Sequence, residues 1–256
     1  MTELAKEAGP EPCRADQLPK GPIRFSICTL VTDLGEYAEM VESFRKGGFD
    51  GPDCEFLYLD NSKGNAFDAF AGYNLFLTRA SGDLLILCHQ DILLLDEGRE
   101  ALEKRLAELD DVDSAWALCG NAGGVVGGDL AVRITDPYAA DVAVGPFPAR
   151  ATAVDENFIV ARRDANLALS HDLHGFHFYG ADLCIVADIL GRSAYVIDFH
   201  LRHKSAGNTD AAFYAARRAT IAKYGRALRT RRIRTTCTNF LVSGLPLLSR
   251  LLGRRR

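Results

Sequence analysis

Acidic side chains follow three successive apolar runs of the sequence. Asp33 lies two residues after the first run (RFSICTLV), Asp60 directly follows the second (CEFLYL), and Asp91 ends the HQD that follows the third (LLILC). In parallel α/β sheets, ligands bind beyond the carboxyl ends of the strands. A single aspartate there is commonly a turn or helix cap. Three in succession instead predict a polar binding edge.

The tripeptide His89-Gln90-Asp91 is the sharpest candidate for metal chemistry. His89 and Asp91 are two residues apart, so both project from the same side of an extended segment. Mn²⁺ accepts oxygen and imidazole ligands, and a hard cation on a diphosphate takes one or two carboxylates plus substrate oxygens. We therefore expect Asp91 to bind a cation. Its alternative role is to cap a helix that begins near Leu95.

Later residues offer a further ligand and a base. His203, in HLRHKSAGN, has a polar setting that suits a ligand or phosphate contact, although a solvated loop histidine is the alternative. His177, between aromatic residues, is more typical of a core histidine. A hydroxyl nucleophile must lose its proton as it attacks, which a positioned carboxylate can accept. Asp182, Asp155 and Glu156 are the candidates, and Asp182 could instead cap a helix.

Alternating strands and helices must position these residues. The patterns predict strands at 24–31, 54–59, 84–88, 114–120, 151–162 and 194–199, and helices at 34–44, 67–80, 98–109, from near 182, and at 210–224. Such alternation predicts an α/β fold with a mostly parallel central sheet and helices on both faces. Residues 122–150, which open with a glycine-rich break, show few helical signals and predict a long excursion.

Composition bounds the domain organisation. A chain of 256 residues that is 48% hydrophobic can form one large α/β domain or two small ones. No apolar stretch reaches 18 residues, which argues against a spanning helix. The seven cysteines form no CxxC pair, so they indicate neither a disulfide framework nor a zinc site. Residues 1–22 are predicted to be a disordered leader.

The charge distribution separates a basic tail from an acidic body. Residues 211–256 carry 12 Lys and Arg and no acid, whereas the other 210 residues carry 18 Lys and Arg against all 34 acids. A basic segment indicates an anionic partner: a membrane surface, a phospholipid-like substrate or nucleic acid. A solvated helix without a partner is the alternative. The run FLVSGLPLLSRLL (240–252) is too short to span a bilayer but can lie in its interface, so the tail at 226–256 is expected to contact an anionic membrane and no nucleic acid.

The chain resembles family-2-like glycosyltransferases of the GT-A fold, in the bacterial branch whose metal motif reads HQD. The resemblance covers residues 24–225 and is carried by an ordered set of motifs: FSICTLVTD, YLDNS, YNLFLTRASGDLLILCHQDILL, AVDENFIVARR, GFHFYGADLC and YVIDFHLRHKSAGN. Any one motif is weak, whereas the ordered set with this spacing is specific.

The resemblance implies a donor site and a metal site. It implies a nucleotide-sugar donor, UDP-linked, bound together with Mn²⁺ or Mg²⁺. Asp91 and His203 then hold the metal, and Asp155 and Glu156 lie beside the acceptor cleft. The donor-binding residues that it implies are Asp33, Asp60, Asn61, Asn74, His89 and Gln90.

One departure leaves the base open. Many enzymes of this family carry a Glu-Asp pair shortly before the position matching Asp182, and the Asp of that pair is the base. Tyr179 and Gly180 stand there in this chain. Asp182 is therefore the first choice of base and Asp155 or Glu156 the second.

The expected activity is inverting transfer of a sugar to a glycan or lipid-linked acceptor in cell-envelope polysaccharide assembly, by a cytoplasmic protein that is peripheral at the membrane. Two alternatives remain. A degenerate domain that only binds sugar or nucleotide is favoured by Gly180. A sugar nucleotidyltransferase is disfavoured because TLVTDLGEY, after the first strand, has one glycine and no basic residue.

Overall fold

The computed structural model describes residues 21–207 and 209–245. Nearly all of the predicted leader (1–22) and the end of the predicted tail (246–256) lie outside the described residues. Within the described part the chain forms five α-helices, fourteen strands and a 3₁₀ turn at Arg163–Ala165.

The elements follow one another as an alternating first half and a strand-rich second half. The strands are β1 (Phe25–Val31), β2 (Cys54–Asp60), β3 (Leu84–Cys88), β4 (Ile92–Leu94), β5 (Trp116–Gly120), β6 (Ala122–Val125), β7 (Leu130–Thr135), β8 (Val142–Val144), β9 (Ala149–Val154), β10 (Phe158–Arg162), β11 (Ser193–Val196), β12 (Leu201–His203), β13 (Arg231–Arg234) and β14 (Asn239–Val242). The helices are α1 (Leu34–Lys46), α2 (Ala69–Arg79), α3 (Arg99–Val112), α4 (Tyr179–Ile189) and α5 (Ala211–Ala227).

Twelve strands form one mixed sheet in the order β2-β1-β3-β10-β5-β11-β9-β6-β7-β12-β4, with β8 paired to β7. β1 is parallel to β2 and β3, and β11 is parallel to β5, as the alternation predicts. β10 is antiparallel to both β3 and β5, and β6 is antiparallel to β7 and β9. The α/β class is confirmed, and the expectation of a mostly parallel sheet is corrected to a mixed one.

The antiparallel pairings in the sheet arise from two segments of the chain. The segment 151–162, predicted as one strand, turns at residues 155–157 and continues as a different strand elsewhere in the sheet. The predicted excursion at 122–150 forms hairpins, and short connections can only join antiparallel strands.

Helices cover both faces of the sheet, as predicted. Alternate residues of β3 face opposite sides, since side chains alternate along a strand: Ile86 packs in one apolar cluster and Leu87 in the other. The first cluster takes Phe44 from α1 and Leu106 from α3, while the second takes apolar residues from α2 and α4, among them Leu183.

Two strand pairings position the predicted site. The antiparallel pairing of β10 with β3 brings the turn at residues 155–157 beside the end of β3, where the His89 amide donates to the Asn157 carbonyl at 3.0 Å. β4, a short strand that the sequence patterns missed, pairs with β12 and sets His203 opposite Ile92, next to Asp91. The helix expected near Leu95 begins only at Arg99, so Asp91 does not cap it.

Of the six cysteines in the described part, all are free, and Cys28, Cys88, Cys119 and Cys184 are buried as core residues. Among the described helices, none combines the length and apolar character that crossing a bilayer requires.

Candidate metal centre and acidic cleft

A cleft of about 850 Å³ opens at the edge of the sheet where β1, β3 and β12 end. This volume lies within the range of small-molecule sites, roughly 300–1,000 Å³. The ionisable residues along it are Glu36, Asp91, Asp136, Asp155 and Glu156, with His89, His177 and His203. Among the described residues that line the cleft, none is Lys or Arg. The cleft is therefore rich in carboxylates, of which Glu36 is paired with Lys204 at 3.3 Å, and it favours a cation.

Three of these residues form a cluster at the floor of the cleft. The ligand atoms of His89, Asp91 and His203 all lie within 4.8 Å of one another. His203 Nε2 is 3.4 Å from His89 Nδ1 and 3.4 Å from Asp91 Oδ1. Asp91 is buried and the two histidines are half-buried. The structure brings Asp91 and His203 together, and His89, which the resemblance assigned to donor binding, joins them.

Tyr179 sets the tautomer of His89. The Tyr179 hydroxyl donates its single proton to the Glu156 carbonyl at 2.8 Å. It is also 3.1 Å from His89 Nε2, so it can only accept there and His89 Nε2 must carry the hydrogen. The Nδ1 lone pair of His89 then faces the cluster. A histidine ligand is commonly held in this way by a hydrogen bond to its other nitrogen.

Burial and hydrogen bonding shift the pKa values of all three residues of the cluster. Partial burial raises the pKa of Asp91, but hydrogen bonds from His203 and Ser205 outweigh it and hold that pKa well below its usual range. Burial lowers the pKa of His203, yet the hydrogen bond to Asp91 raises it above its ordinary value overall. Burial, with His203 nearby, lowers the pKa of His89. These shifts favour the charged forms of Asp91 and His203 and the neutral form of His89.

The cluster fits a divalent cation by its donor chemistry. One carboxylate and two imidazoles are a mixed oxygen and nitrogen set, which suits Mn²⁺ and other transition metals better than Mg²⁺, since Mg²⁺ prefers oxygen ligands and water. The inward lone pair on His89 is the second indication of fit. His89, Asp91 and His203 therefore have the donor atoms and the spacing that can hold a metal ion.

Gln90 holds the loop after β1 against the end of β3. Its Oε1 accepts from the Thr32 amide at 2.7 Å and the Asp33 amide at 2.9 Å, while its Nε2 donates to Thr32 Oγ1 at 3.0 Å and Glu36 Oε2 at 3.2 Å. The side-chain amide is thereby engaged within the protein. Gln90 lines the cleft and positions the loop that forms its wall.

The other donor-site candidates are divided between the cleft and its surroundings. Asn61 is buried, lines the cleft and pins the loop through both its amide atoms to Phe67. Asp33 caps α1 and Asp60 bonds Ser62, and both are exposed outside the cleft lining. Asn74 lies on α2 and clamps the backbone of Leu169, also outside the lining.

The turn between β9 and β10 contributes two carboxylates to the cleft. Asp155 is exposed and accepts from the Asn157 amide at 3.0 Å. Glu156 is half-buried, and its Oε1 accepts from the Gly180 amide at 3.1 Å, at the N-terminus of α4. Burial raises the pKa of Glu156 to about 8, the Gly180 amide opposes this, and the Asp155 charge adds to it.

Gly180 is required for this arrangement. A Cβ at this position would lie 2.4 Å from the Val154 carbonyl oxygen and 3.2 Å from Glu156 Cγ. No acid can therefore stand at position 180 without displacing backbone. The carboxylate of Glu156 instead lies at the N-terminus of α4, where the helix dipole favours negative charge. Phe178, just before α4, holds a left-handed φ of 68°, a strained conformation of the kind that is enriched at functional sites.

Asp182, the first choice of base, is not brought to the cleft. It is 0% exposed and lies outside the cleft lining. Its carboxylate accepts from the Ser170 amide at 2.7 Å, from Ser170 Oγ at 2.7 Å and from the Tyr224 hydroxyl. This network ties α4 to the segment before it and to α5, so the position of Asp182 indicates a structural role.

The Asp182→Ala variant should be destabilised and should still bind ligands in the cleft. Loss of the carboxylate leaves three donors unpaired, two on half-buried Ser170 and one on buried Tyr224, so we expect the free energy of unfolding to fall by about 3 kcal/mol, measured by urea denaturation. Asp188→Ala, an exposed site on the same helix, should change it by less than about 0.5 kcal/mol. Unchanged stability with lost turnover would return Asp182 to catalysis.

Sequence patterns missed several residues of the cleft wall. His177, interpreted as a core histidine, lies in the lining with its ring 5.4 Å from that of Phe213 on α5. Tyr138 and Phe176 line the cleft and are 75% and 39% exposed. Exposed aromatic residues in a loop carry no periodic pattern, and so no sequence signal separated them from ordinary loop residues.

Comparison with known proteins supplies a relative over most of the chain. No protein-family model matches. The chain is 36% identical over 225 residues to "ATP synthase subunits region ORF 6" of Fuscovulum blasticum, covering 85% of this chain and 90% of that protein. The two proteins belong to one family. The name of this relative specifies a gene region and no activity, so the function must be inferred from the cleft.

Solved structures show a loose likeness. "S. aureus TarS 1-349 in complex with UDP" aligns with a TM-score of 0.46 at 12% identity over 78% of this chain, which spans 65% of that structure. A197 from STIV gives a TM-score of 0.41 at 10% identity, covering 73% of this chain and 97% of that one. The inositol-1-phosphate CTP transferase from T. maritima gives 0.38 at 10%, covering 80% and 98%. All three scores lie below 0.5, so functional conclusions for this family depend on the site itself.

Proposed function

We propose that this protein is a metal-dependent glycosyltransferase that takes a sugar from a nucleotide-sugar donor. The supporting observation is a cleft with five carboxylates and neither Lys nor Arg among its described lining, built around a two-histidine, one-carboxylate cluster. Such a cleft attracts a cation first and an anionic diphosphate only through it. The likeness of the motifs to family-2-like glycosyltransferases agrees with this order of binding.

His89, Asp91 and His203 would hold the cation, and Mn²⁺ suits them better than Mg²⁺. When bound, the metal supplies charge stabilisation to the departing diphosphate. Tyr179 keeps the Nδ1 lone pair of His89 directed at the cluster. Gln90 and Asn61 hold the two loops that form the wall of the proposed donor site.

Glu156 is the base that the geometry favours for the acceptor hydroxyl. It lines the cleft at the N-terminus of α4, the helix in whose first turn the resemblance expects an acid. Burial raises its pKa to about 8, close to the pH at which a base is most effective. Asp155, the neighbouring carboxylate, is the second candidate. Proton acceptance by one carboxylate during in-line attack accords with inversion.

The acceptor is proposed to be a glycan or lipid-linked sugar. The exposed rings of Tyr138 and Phe176 border the cleft and offer apolar faces against which a sugar ring can stack. Asn157 lines the same wall, and its Oδ1 is buried without a hydrogen-bond partner among the described residues. A UDP-linked donor and a place in cell-envelope polysaccharide assembly, on the cytoplasmic side, follow from the resemblance.

Two other functions fit the site less well. In a sugar nucleotidyltransferase the attack is on a phosphate, yet neither the loop at residues 32–36 nor the described cleft lining has a Lys or Arg. A degenerate binding domain was favoured by Gly180, but the carboxylate of Glu156 lies beside that glycine. A turnover assay on a panel of sugar nucleotides with Mn²⁺, run with and without added pyrophosphate, distinguishes these functions. Released nucleoside diphosphate supports transfer, formation of nucleoside triphosphate and sugar phosphate from the added pyrophosphate indicates a nucleotidyltransferase, and binding without either product indicates a degenerate domain.

Gly180→Asp, which places an acid where the similar glycosyltransferases carry one, should lower both the stability and the turnover of the protein. The new Cβ would clash with the Val154 carbonyl and displace Glu156, so we expect a loss of about 1–3 kcal/mol in the free energy of unfolding together with reduced turnover. Gly225→Asp is the matched control, since a Cβ there meets nothing within 4 Å. Higher turnover in Gly180→Asp would contradict the assignment of Glu156.

A further inference from the structure

A two-stranded hairpin follows α5 and packs little against the body of the protein. β13 and β14 pair antiparallel with each other and belong to no larger sheet in the described part. None of residues 231–242 is buried. An isolated hairpin in water is marginally stable unless one of its faces is covered. The hairpin of residues 231–242, here called the basic hairpin, therefore needs a partner surface.

The two faces of the basic hairpin differ in character. Arg231 pairs with Val242 and Ile233 with Phe240, so these four side chains share one face. Phe240 and Val242 are 42% and 49% exposed. The opposite face carries Arg232 and Arg234, which are paired with Leu241 and Asn239. One face is thus apolar with an arginine at its edge, and the other is basic.

Helix α5, which leads into the hairpin, adds a second exposed stripe. Tyr214, Arg217, Arg218, Ile221 and Leu228 are spaced so that they lie on one side of the helix, and all five are exposed. The half-buried and buried positions of α5, among them Phe213, Ala216 and Thr220, flank this stripe, and Tyr224 bonds Asp182 there. No acidic residue occurs after Asp210, so neither element carries a charge that opposes the arginines.

We propose that the basic hairpin, with the outer stripe of α5, binds an anionic lipid surface. Exposed apolar side chains enter the headgroup boundary, and adjacent arginines meet lipid phosphates. Charge complementarity selects an anionic partner, and the apolar face selects lipid over nucleic acid, for which arginines alone would suffice. The sequence continues with PLLSRLLGRRR, again leucine and arginine without acid. This binding is independent of the proposed transferase activity, and either can fail alone.

The test is co-sedimentation of the full chain with vesicles of equimolar phosphatidylcholine and phosphatidylglycerol, with phosphatidylcholine vesicles as reference. Wild type should pellet with the anionic vesicles at low salt and lose binding at high salt. A variant with Arg231, Arg232 and Arg234 changed to Glu should bind at least tenfold more weakly. The control variant, with Lys46, Arg79 and Lys104 changed to Glu on α1, α2 and α3, makes the same charge change at exposed sites and should bind as wild type.

Two further variants distinguish lipid binding by the basic hairpin from nucleic-acid binding and from binding through the arginines at 254–256. Phe240→Ser with Val242→Ser should weaken vesicle binding severalfold while leaving the unfolding midpoint unchanged. If it binds vesicles as wild type does, and the arginines instead govern binding to a short duplex DNA, the partner is nucleic acid and the proposal fails. It fails equally if the control variant loses binding as strongly, or if changing Arg254, Arg255 and Arg256 to Ser abolishes binding while the hairpin variant retains it.

Discussion

Asp91→Asn should lose metal-dependent donor binding while keeping its fold. The substitution preserves the shape of the side chain. It removes the carboxylate from the cluster that His89, Asp91 and His203 form among the described residues. Mutation of a residue that only hydrogen-bonds to a metal ligand typically costs 10–100-fold in metal affinity. Loss of the charged ligand itself should therefore weaken Mn²⁺ binding by at least about 100-fold. Titration calorimetry with Mn²⁺ alone, and then with UDP in the presence of Mn²⁺, measures both effects.

A neighbouring acid provides the control for that experiment. Asp136→Asn removes a carboxylate from the same cleft, but its Oδ1 is engaged with the amides of Tyr138 and Ala139 and it lies outside the cluster. It should lower Mn²⁺ affinity only severalfold, through the change in local charge. Equal Mn²⁺ affinity in Asp91→Asn and wild type would place the cation elsewhere and overturn the assignment.

Glu156→Gln should abolish most turnover and leave donor binding intact. Gln can still accept the Gly180 amide hydrogen, so the N-terminus of α4 keeps its partner, but the side chain can no longer take a proton. Loss of a general base costs about 10²–10⁴-fold in rate. Single-turnover kinetics at saturating donor, with donor affinity measured separately, give the two quantities. Asp155→Asn is the matched control, and a larger loss there would move the base to Asp155.

The same variant should change how stability depends on pH in the metal-free protein. Burial raises the pKa of Glu156 from 4.5 to about 8 in the folded state. The folded state therefore holds this proton where the unfolded state has released it, and the contribution to stability is lost as pH rises from about 4.5 through about 8. Glu156→Gln should remove that part of the decline, seen as a flatter plot of the free energy of unfolding against pH. Parallel plots for the two proteins would contradict the raised pKa.

The early part of the fold was predictable because its signals are local. The strand and helix patterns of residues 24–120 match the observed elements to within a few residues, with β4 the one missed in that stretch. Continuous apolar runs, helical periodicity and cap residues such as Asp33 are read from neighbouring residues alone. The three strand-end acids were also visible in the sequence, although Asp33 and Asp60 proved to lie outside the cleft lining.

The later part was less predictable because partners far apart in sequence decide it. Whether residues 151–162 form one strand or two depends on the places that β9 and β10 take in the sheet, and no local pattern encodes them. Asp182 shows the same limit at the level of one side chain. A carboxylate near a helix start looks alike in sequence whether it faces a cleft or, as here, is buried against Ser170 and Tyr224.

By itself the sequence determined the α/β class, the acid at the end of each early strand, the HQD tripeptide and the separation of a basic tail from an acidic body. Only the tertiary structure decided which of these residues meet. Pairing of β4 with β12 brings His203 to Asp91 across more than a hundred residues, and pairing of β10 with β3 brings Glu156 to the same cleft. Strand pairing is a long-range interaction whose register depends on the whole sheet, whereas propensity and periodicity act over a few residues.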